Sequence, residues 1–393
     1  MSPAGFLIVG GGMAGAALAL LLRHRGAEQV TLVEAVDLPD PDQPLSPSFD
    51  ARRTALAAGT LNALDDIGLL DELLTQAADI TTVHVSRAAR PGITRIRAAE
   101  EGVPRLGAVM ENRWLGQVLL RALAADDGIR VIAPDRVASL QRTPEGYNAT
   151  LESGTELSTP LLVVADGAQS ATRDKLGIAA HHQDTGEDAL VANVVTEAPH
   201  EGVAFERFTD EGTVALLPMT EGRMAVVWSG TRERIRARET AEPETLLAEL
   251  EGHFRGRLGR FHRVGTPARY PLVLTRAAAQ AVPGAVVVGN AAHTLSPVAA
   301  QGFNLTLRDL VALADRAATA EAPGDWKLLR DWELARGDDQ WAVATFSRHL
   351  AELFRKRGPL GHARQLGLAG LDLLPGPRHL FANRAMGLGR LSP

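Results

Sequence analysis

The stretch FLIVGGGMAGAALALLL, residues 6–22, decides the fold of this chain. Its first four residues are apolar and predict a short buried strand, and its last nine are apolar on every side and predict a buried helix. Between the two, Gly10, Gly12 and Gly15 form a G-x-G-x-x-G pattern. Glycines at these places allow a tight turn, close approach of the backbone to a pyrophosphate and close helix–strand packing, while the helix N-terminus faces the negative charge. The stretch therefore predicts a dinucleotide-binding site.

A second apolar run, VTLVE at residues 30–34, strengthens this prediction. It reads as a strand, and its last residue, Glu34, follows Gly15 by 19 residues and is placed to bind a ribose hydroxyl of adenosine. The glycine pattern occurs once in the chain and does not distinguish NAD from FAD. A plain NAD-dependent dehydrogenase therefore stays open at this point, and the visible spectrum of the purified protein would decide.

The composition bounds the class of protein. With 393 residues the chain exceeds one ordinary hydrophobic core, which favours two packed domains. A net charge of -6 argues against a general nucleic-acid binder, and the absence of cysteine excludes disulfides, thiolate metal sites and a cysteine nucleophile. No uninterrupted apolar stretch reaches the roughly 20 residues that span a bilayer, and the N-terminus lacks the basic region of a signal peptide. The sequence predicts a cytoplasmic protein.

The middle of the chain reads as strands rather than as further strand–helix units. Alternating β-branched residues and short turns predict an antiparallel sheet. Its strands are expected at residues 189–196, 203–209, 213–219 and 223–229, with a hairpin turn at MTEGRM between the last two. Helical patterns return at residues 244–255, 303–319 and 326–355.

Two later loops have the same organisation as the first. In LLVVADGAQSATRDKLGI, residues 161–178, a buried strand runs into Asp166 and Gly167, and Ser170 and Arg173 follow as a helix cap and a phosphate partner. In VVVGNAAHTLSPVAAQGFNLTLRD, a strand runs into small residues that include the four polar or turn-forming positions Asn290, Pro297, Gly302 and Asn304. Ligands bind at the carboxyl ends of strands in open α/β sheets. The three loops are therefore expected to converge on one extended cofactor.

This combination resembles the group A flavoprotein monooxygenases, whose motifs are a G-x-G-x-x-G, a D-G loop and a late G-D-A-A-H…P…G-Q-G-x-N loop over the flavin. Residues 49–70, 80–86, 180–209 and 213–229 are similar to the hydroxylases of ubiquinone biosynthesis, most closely those acting on polyprenyl methoxyphenols. The resemblance covers essentially the whole chain. Two positions depart from the motif: Asn290 stands for the usual Asp, and Ala300 for the usual Gly. The methoxyphenol branch also favours Asn at the first of these.

The resemblance implies an α/β fold, α+β overall: a Rossmann-like FAD-binding domain, an inserted antiparallel-sheet substrate domain and a helical C-terminus. The FAD-binding domain is expected at residues 1–79, 102–180 and 271–345, the substrate domain at 80–101 and 181–270, and the helical segment at 346–393.

The activity implied is hydroxylation of the aromatic ring of a polyprenyl (methoxy)phenol. NADH or NADPH would reduce FAD, and a flavin C4a-hydroperoxide formed with O2 would attack the ring. Two alternatives stay open: a flavin-binding scaffold subunit of a ubiquinone-synthesis complex, and a flavin-dependent polyprenyl reductase of the same fold. Partners are the polyprenyl phenol and O2, and no nucleic acid.

The resemblance also assigns residues to the cofactor. The FAD contacts are expected at Gly10, Gly12, Gly15, Glu34, Arg52, Arg113, Val137, Asp166, Gly167, Asn290, Pro297, Gly302 and Asn304, with Arg53 as the alternative to Arg52. No catalytic base stands out; His293, Tyr270 and Pro297 are pocket candidates, although a structural hydrogen bond is favoured for His293 and a core position for Tyr270. No metal site is predicted, because His181, His182 and Asp184 are interpreted as a solvated turn.

The C-terminal segment, residues 348–390, is basic in an acidic protein. It carries eight arginines and lysines against two acidic residues, with interleaved Leu and Phe. The favoured interpretation is a helical subdomain that covers the flavin domain. An added contact with the inner membrane surface or with a ubiquinone-biosynthesis complex is the second hypothesis.

Overall fold

The computed structural model describes residues 5–38, 52–88, 93–254, 256–295, 301–355 and 386–387. Within these residues the chain builds two large sheets and two small ones, with helices packed around them. A parallel Rossmann-like sheet is joined to an antiparallel sheet, which confirms the predicted mixed α/β class.

The strands are numbered in chain order. They are β1 (Phe6–Val9), β2 (Val30–Val33), β3 (Arg53–Ala57), β4 (Ala78–Ile80), β5 (Thr82–Arg87), β6 (Ile93–Arg97), β7 (Gly107–Glu111), β8 (Ile129–Ile132), β9 (Val137–Thr143), β10 (Gly146–Leu151), β11 (Glu156–Thr159), β12 (Leu162–Val164), β13 (Ala180–Thr196), β14 (Val203–Phe208), β15 (Thr213–Pro218), β16 (Arg223–Thr231), β17 (Phe261–Val264), β18 (Ala268–Ala277), β19 (Ala281–Val282), β20 (Ala285–Val287) and β21 (His293–Thr294).

The helices are numbered in the same way. They are α1 (Met13–His24), α2 (Ala58–Asp66), α3 (Leu70–Leu74), α4 (Ala98–Glu101), α5 (Asn112–Ala125), α6 (Ala171–Lys175), α7 (Arg232–Glu239), α8 (Pro243–Phe254), α9 (Gln301–Ala317) and α10 (Trp326–Arg355). None of the helices among the described residues is long and apolar enough to cross a membrane.

The opening stretch lies at the centre of the six-stranded sheet, whose order is β19-β20-β12-β1-β2-β8. β1 pairs in parallel with β2 on one side and with β12 on the other, so that Ile8 lies opposite both Leu32 and Val163. All four β1 residues are buried, because α1, α5 and α9 cover one face of the sheet and the small sheet of β9, β10 and β11 covers the other. α1 packs against α5 and α9, which explains why it is apolar around most of its circumference. The predicted strand–turn–helix unit is confirmed.

The nine-stranded sheet has the order β21-β18-β13-β16-β15-β14-β5-β6, with β17 paired to β13. The four strands predicted in the middle of the chain are its central members, and the turn between β15 and β16 is a short 3₁₀ turn at residues 220–222. One face of this sheet packs under α8, where Leu250 and Phe254 contact a core containing Trp228. The opposite face is turned toward the parallel sheet and supplies one wall of the cleft described below.

Two local predictions are wrong. His181, His182 and Asp184 lie on the long strand β13, not in a turn, because β13 pairs with β18 along this stretch. Tyr270 lies on β18 and is half-buried rather than a core residue. The domain limits stay a prediction, and the boundary drawn at residue 270 falls within β18.

The C-terminal part is described only in places. α10 runs to Arg355, and Met386 is buried, with its carbonyl accepting a hydrogen bond from the Gly59 amide at 2.8 Å. The rest of the basic segment, residues 356–385 and 388–390, lies outside the described residues.

Candidate active site

A large cleft lies between the carboxyl ends of the parallel strands and the exposed face of the nine-stranded sheet. Its volume is about 1490 Å³. Pockets for one small molecule usually measure roughly 300–1,000 Å³, so this cleft has room for an extended cofactor and a second ligand. The first, second and third strand–loop–helix turns all contribute to its lining, as the sequence predicts.

The glycine turn after β1 has three positions with different constraints. Gly10 has a φ of 109°, and a Cβ there would lie 2.5 Å from the Ala165 carbonyl oxygen. A Cβ on Gly15 would lie 1.9 Å from the Gly10 carbonyl oxygen. A Cβ on Gly12, in contrast, would meet no atom within 4 Å, and Gly12 lines the cleft. The first and third glycines thus permit the turn itself, and the second leaves open space where a pyrophosphate would approach the backbone.

Glu34 lies at the end of β2 and lines the cleft. Its carboxylate accepts hydrogen bonds from the backbone N–H groups of Gly11, at 2.5 Å, and Val36, at 3.2 Å. A carboxylate offers about four acceptor positions, so positions remain for ribose hydroxyls. Val137 lines the cleft beside it, at the start of β9.

The same end of the cleft contains a residue that the sequence reasoning missed. Asp135 is largely buried and lines the cleft. Hydrogen bonding by Ser153, with a further backbone bond from Arg136, holds the pKa of Asp135 below its usual range. The Asp135 amide donates to the Glu34 carbonyl at 2.8 Å, so the two acids belong to one loop junction. Its position after a short strand at a sheet edge was the signal available.

The second loop is held together by hydrogen bonds between its own residues. The Asp166 carboxylate accepts hydrogen bonds from the Ser170 hydroxyl and, at 3.1 Å, from the Thr172 amide, while the Ser170 hydroxyl oxygen accepts from the Arg173 amide at 2.9 Å. Ser170 is therefore the N-cap of α6, as predicted. Asp166 and Gly167 both line the cleft.

Arg173 does not take the predicted role of a phosphate partner. Its side chain is buried and is not among the described residues that line the cleft. Its Nη1 donates to the carbonyl oxygens of Ala168, at 3.3 Å, and Ala291, at 3.1 Å. This guanidinium therefore ties the second loop to the third, and we call it the Arg173 clasp.

The third loop brings Asn290, Gly302 and Asn304 to the cleft. Asn290 is exposed, and a Cβ on Gly302 would meet no atom within 4 Å. Asn304 is 2% exposed and connects α9 to β3 and α2: its Oδ1 accepts from the Ala57 amide at 2.8 Å and the Thr60 hydroxyl at 2.7 Å, and its Nδ2 donates to the Ala55 carbonyl at 2.9 Å. Pro297 and Ala300 lie outside the described residues.

The arginines divide into two groups. Arg52 and Arg53 both line the cleft. The Arg52 guanidinium carbon lies 5.2 Å from the ring centroid of Tyr270. Arg53 forms an ion pair with Glu111 at 2.6 Å. Burial, opposed in part by the Glu111 charge, lowers the pKa of Arg53. Arg113 also pairs with Glu111, but its side chain is 59% exposed and is not among the described cleft-lining residues. Its geometry offers no support for a cofactor contact.

Two of the three pocket candidates, His293 and Tyr270, are among the described residues, and neither belongs to the described lining of the cleft. His293 is buried, and its Nε2 lies 2.9 Å from Asp309 Oδ2. Asp309 also accepts from Arg336 Nε at 2.5 Å, so this histidine belongs to a buried charged network. This hydrogen bond agrees with the favoured interpretation of His293 as a structural hydrogen-bonding residue, which stays a prediction. Among the described residues, moreover, no group of three His, Cys, Asp or Glu side chains is arranged to hold a metal ion.

The wall contributed by the nine-stranded sheet is apolar, and the sequence reasoning did not identify it. Its lining side chains come from five strands: Val83, Val85, Ile96, Ala204, Ala215, Leu217 and Val227. Glu206 is the ionisable residue among these strands that lines the cleft within the described part of the chain. The alternation in VAFERF, where residues 204 and 206 share one face, was the signal that could have found it.

Comparison with known proteins places this geometry in a family. Residues 4–347 match the model of the FAD binding domain. The chain is 34% identical to ubiquinone hydroxylase UbiL of Rhodospirillum rubrum over 98% of this chain and 90% of that protein. It is 30% identical to the 3-demethoxyubiquinol 3-hydroxylase of Escherichia coli, over 94% of this chain and 95% of that protein.

Solved structures show the same fold at low identity. The chain is similar to p-nitrophenol 4-monooxygenase PnpA of Pseudomonas putida, with a TM-score of 0.77 and 18% identity over 99% of this chain and 98% of that one. It is also similar to PqsL of Pseudomonas aeruginosa, a probable FAD-dependent monooxygenase, with a TM-score of 0.76 and 20% identity over 94% of this chain and all of that one. The cleft, its three loops and these matches together show that the chain belongs to the FAD-binding monooxygenase family of the ubiquinone hydroxylases and is an FAD-dependent aromatic hydroxylase.

Proposed function

We propose that this enzyme hydroxylates the aromatic ring of a polyprenyl methoxyphenol in ubiquinone biosynthesis, with FAD as cofactor and NADH or NADPH and O2 as co-substrates. One observation carries the proposal. The three loops that follow β1, β12 and β20 form one wall of the cleft, the loop-built wall, which suits FAD, and the wall opposite it is apolar with a single described carboxylate. An aromatic ring with an isoprenoid tail is a ligand that such an apolar wall would accept.

FAD fits the loop-built wall. The open space over Gly12 suits a pyrophosphate, and the Glu34 carboxylate retains acceptor positions for ribose hydroxyls. Asn290 and Gly302 bring the third loop to the cleft. Arg52 and Arg53 bring positive charge to the same cleft. When bound, FAD would supply the two-electron chemistry with NAD(P)H and the activation of O2.

The protein's own contribution is to exclude water and to orient the substrate ring. Side chains such as Val85, Ala215 and Val227 present a surface without hydrogen-bonding groups, so water is poorly held there. A ring held flat against this wall has few orientations, which favours reaction at one carbon.

The remaining parts of the proposal concern organisation. We assign residues 1–79, 102–180 and 271–345 to the FAD-binding domain and residues 80–101 and 181–270 to the substrate domain. The basic segment at residues 348–390 would contact the inner membrane surface or other enzymes of the pathway, since a polyprenyl substrate resides in the membrane.

The test is NAD(P)H oxidation in air by FAD-loaded protein, with and without a short-chain prenyl-methoxyphenol, followed by mass analysis of the product. Stimulated oxidation with one oxygen atom added is expected, and fragmentation would locate the new hydroxyl. A demethoxyubiquinol analogue should be assayed in parallel, because the 30% identical relative is named for hydroxylating that class. Bound FAD with no oxygenated product from either compound, in the presence and absence of membranes, would favour the scaffold alternative.

A further inference from the structure

Glu206 occupies a distinct position in the apolar wall. It lies on β14 between Val85 of β5 and Ala215 of β15, and Ala215 in turn lies opposite Val227 of β16. All four residues line the cleft, so one cross-strand row presents three apolar side chains and one carboxyl group. Glu206 thus faces a ligand bound against this wall.

The side chains next to Glu206 along β14 lie on the other face of the sheet. The neighbouring residues Phe205 and Arg207 point the other way: the Phe205 ring lies 5.4 Å from that of His84, and Arg207 Nη1 donates to the Ser86 hydroxyl at 3.1 Å. His84 in turn lies beside Arg257. These charged and titratable groups are on the face away from the cleft.

On the cleft side, Glu206 makes no hydrogen bond or ion pair with another residue in the described parts of the chain. Burial, without a contribution from a neighbouring charge, raises the pKa of Glu206 to about 7. The other charged residues that line the cleft, none of them on a strand of the nine-stranded sheet, are Glu34, Arg52, Arg53, Asp135, Arg136, Glu152, Asp166, Lys175 and Asp339. A carboxylate kept in an apolar wall without a protein partner is suited to a ligand that supplies a hydrogen-bond donor.

We propose that Glu206 accepts the hydrogen bond, and during ring hydroxylation the proton, of the phenolic hydroxyl of the substrate. The inference rests on the function proposed above, in which the substrate carries that hydroxyl. It adds a catalytic residue that touches the reacting ring.

The proton transfer balances as follows. As the ring electrons form the new C–O bond with the outer oxygen of the O2-derived donor that FAD would supply, the O–O bond of that donor breaks and its electron pair leaves with the inner oxygen. At the same time the phenolic O–H bond breaks, its electron pair becomes the second bond of a ring C=O, and the proton moves to a Glu206 oxygen. The hydroxylated carbon then loses its proton, which neutralises the oxyanion left on the donor, and the aromatic ring is restored as the ring oxygen takes a proton back from Glu206. Such general-base assistance typically contributes 10²–10⁴-fold in rate.

The first test is Glu206→Gln, which keeps the shape and removes the base, against Glu244→Gln, an exposed control on α8. At a pH of about 8 the product-forming kcat of E206Q should fall roughly 10²-fold, with E244Q unchanged. Wild-type kcat should decrease as the pH falls through about 7, because Glu206 is a base only when ionised, whereas E206Q should show no such step. A fluorinated, more acidic phenol should narrow the difference between E206Q and wild type. An equal deficit with both phenols would overturn the proposal.

A second measurement does not depend on turnover. In the absence of NAD(P)H, the phenol should bind FAD-loaded E206Q several-fold more weakly than wild type, while the methyl ether of the same phenol should bind both equally, since it has no hydrogen to donate. Equal binding of the free phenol to both proteins would count against the contact.

A third measurement establishes whether Glu206 has the assigned environment. A carboxyl group with a raised pKa penalises the ionised folded state, so apo E206Q should unfold at a higher temperature than wild type above pH 7 and at the same temperature below about pH 4.5. If wild-type enzyme fails to hydroxylate any phenol but this difference is found, the proposed function fails while the placement of Glu206 stands. If hydroxylation occurs and E206Q matches wild type throughout, only the role of Glu206 fails.

Discussion

The two walls of the cleft are built by different means. The loop-built wall depends on the backbone: Gly10 and Gly15 are in places where a Cβ would collide with a carbonyl oxygen at 2.5 Å and 1.9 Å. The wall opposite consists of side chains on regular strands, such as Val85 and Ala215, whose backbones any apolar residue would tolerate. The comparison teaches that changes at Gly10 or Gly15 should affect folding and cofactor together, whereas changes of the apolar residues in the second wall should affect substrate alone.

The largest effect should come from Gly15→Val. Its Cβ would overlap the Gly10 carbonyl oxygen, and neither backbone segment can move without displacing β1 or α1. We expect a loss of about 3 kcal/mol or more in the free energy of unfolding, together with loss of bound FAD. Urea unfolding and the visible flavin spectrum measure the two. A stable variant that retains FAD would show that the turn is not fixed by its backbone.

Ala215→Trp should have a large effect on product formation and none on flavin binding. An indole in the half-buried position of Ala215 would fill the space against the apolar wall, so product formation should fall roughly 10²-fold. Flavin content should be unchanged, because no cofactor loop is touched. Thr245→Trp, exposed on α8, is the control. Loss of FAD from the Ala215 variant alone would mean that the two walls are not separable.

Asn304→Ala tests a residue that lines the cleft and also makes buried hydrogen bonds to β3 and α2. The substitution removes the acceptor of the Ala57 amide and the Thr60 hydroxyl and the donor to the Ala55 carbonyl. Buried groups left unpaired should cost on the order of 1–3 kcal/mol in unfolding free energy. Asn148→Ala, which removes one exposed hydrogen bond, should cost less than about 0.5 kcal/mol. Equal losses in the two variants would contradict the structural role of Asn304.

The smallest effect should come from Gly12→Ala. Its φ of -66° suits alanine, and its Cβ would meet no protein atom within 4 Å, so the apo protein should unfold at an unchanged urea concentration. The added methyl occupies the space through which the pyrophosphate would approach the backbone. It should weaken the binding free energy of FAD by about 1.4 kcal/mol, which is about a tenfold loss of affinity. Titration of apo protein with FAD measures the affinity. Reduced stability without weaker binding would place the pyrophosphate elsewhere.

The loop-built wall could be predicted from the sequence because its constraints are local. Gly10, Gly12, Gly15 and Glu34 all fall within one strand–helix–strand unit, and the structure brings them to the cleft or its turn. The Asp166 loop follows the same pattern. Each needs only the order of residues along the chain.

The apolar wall could not be predicted because it depends on distant pairing. β5 joins β14 in parallel, which places Val85 beside Glu206 although 121 residues separate them. Nothing near either residue specifies this register. The error at His181 and His182 has the same origin, since only the pairing of β13 with β18 makes that polar stretch a strand.

The Arg173 clasp has a consequence for how the holoenzyme is assembled. Because its guanidinium holds the carbonyl groups of Ala168 and Ala291 together, the distance between the second and third loops is fixed by a buried side chain rather than by the cofactor. The relative position of Ala168 and Ala291 is therefore fixed before FAD binds, and the loss of conformational freedom at these two residues belongs to folding, not to binding. We expect FAD to dock at this junction without having to order it.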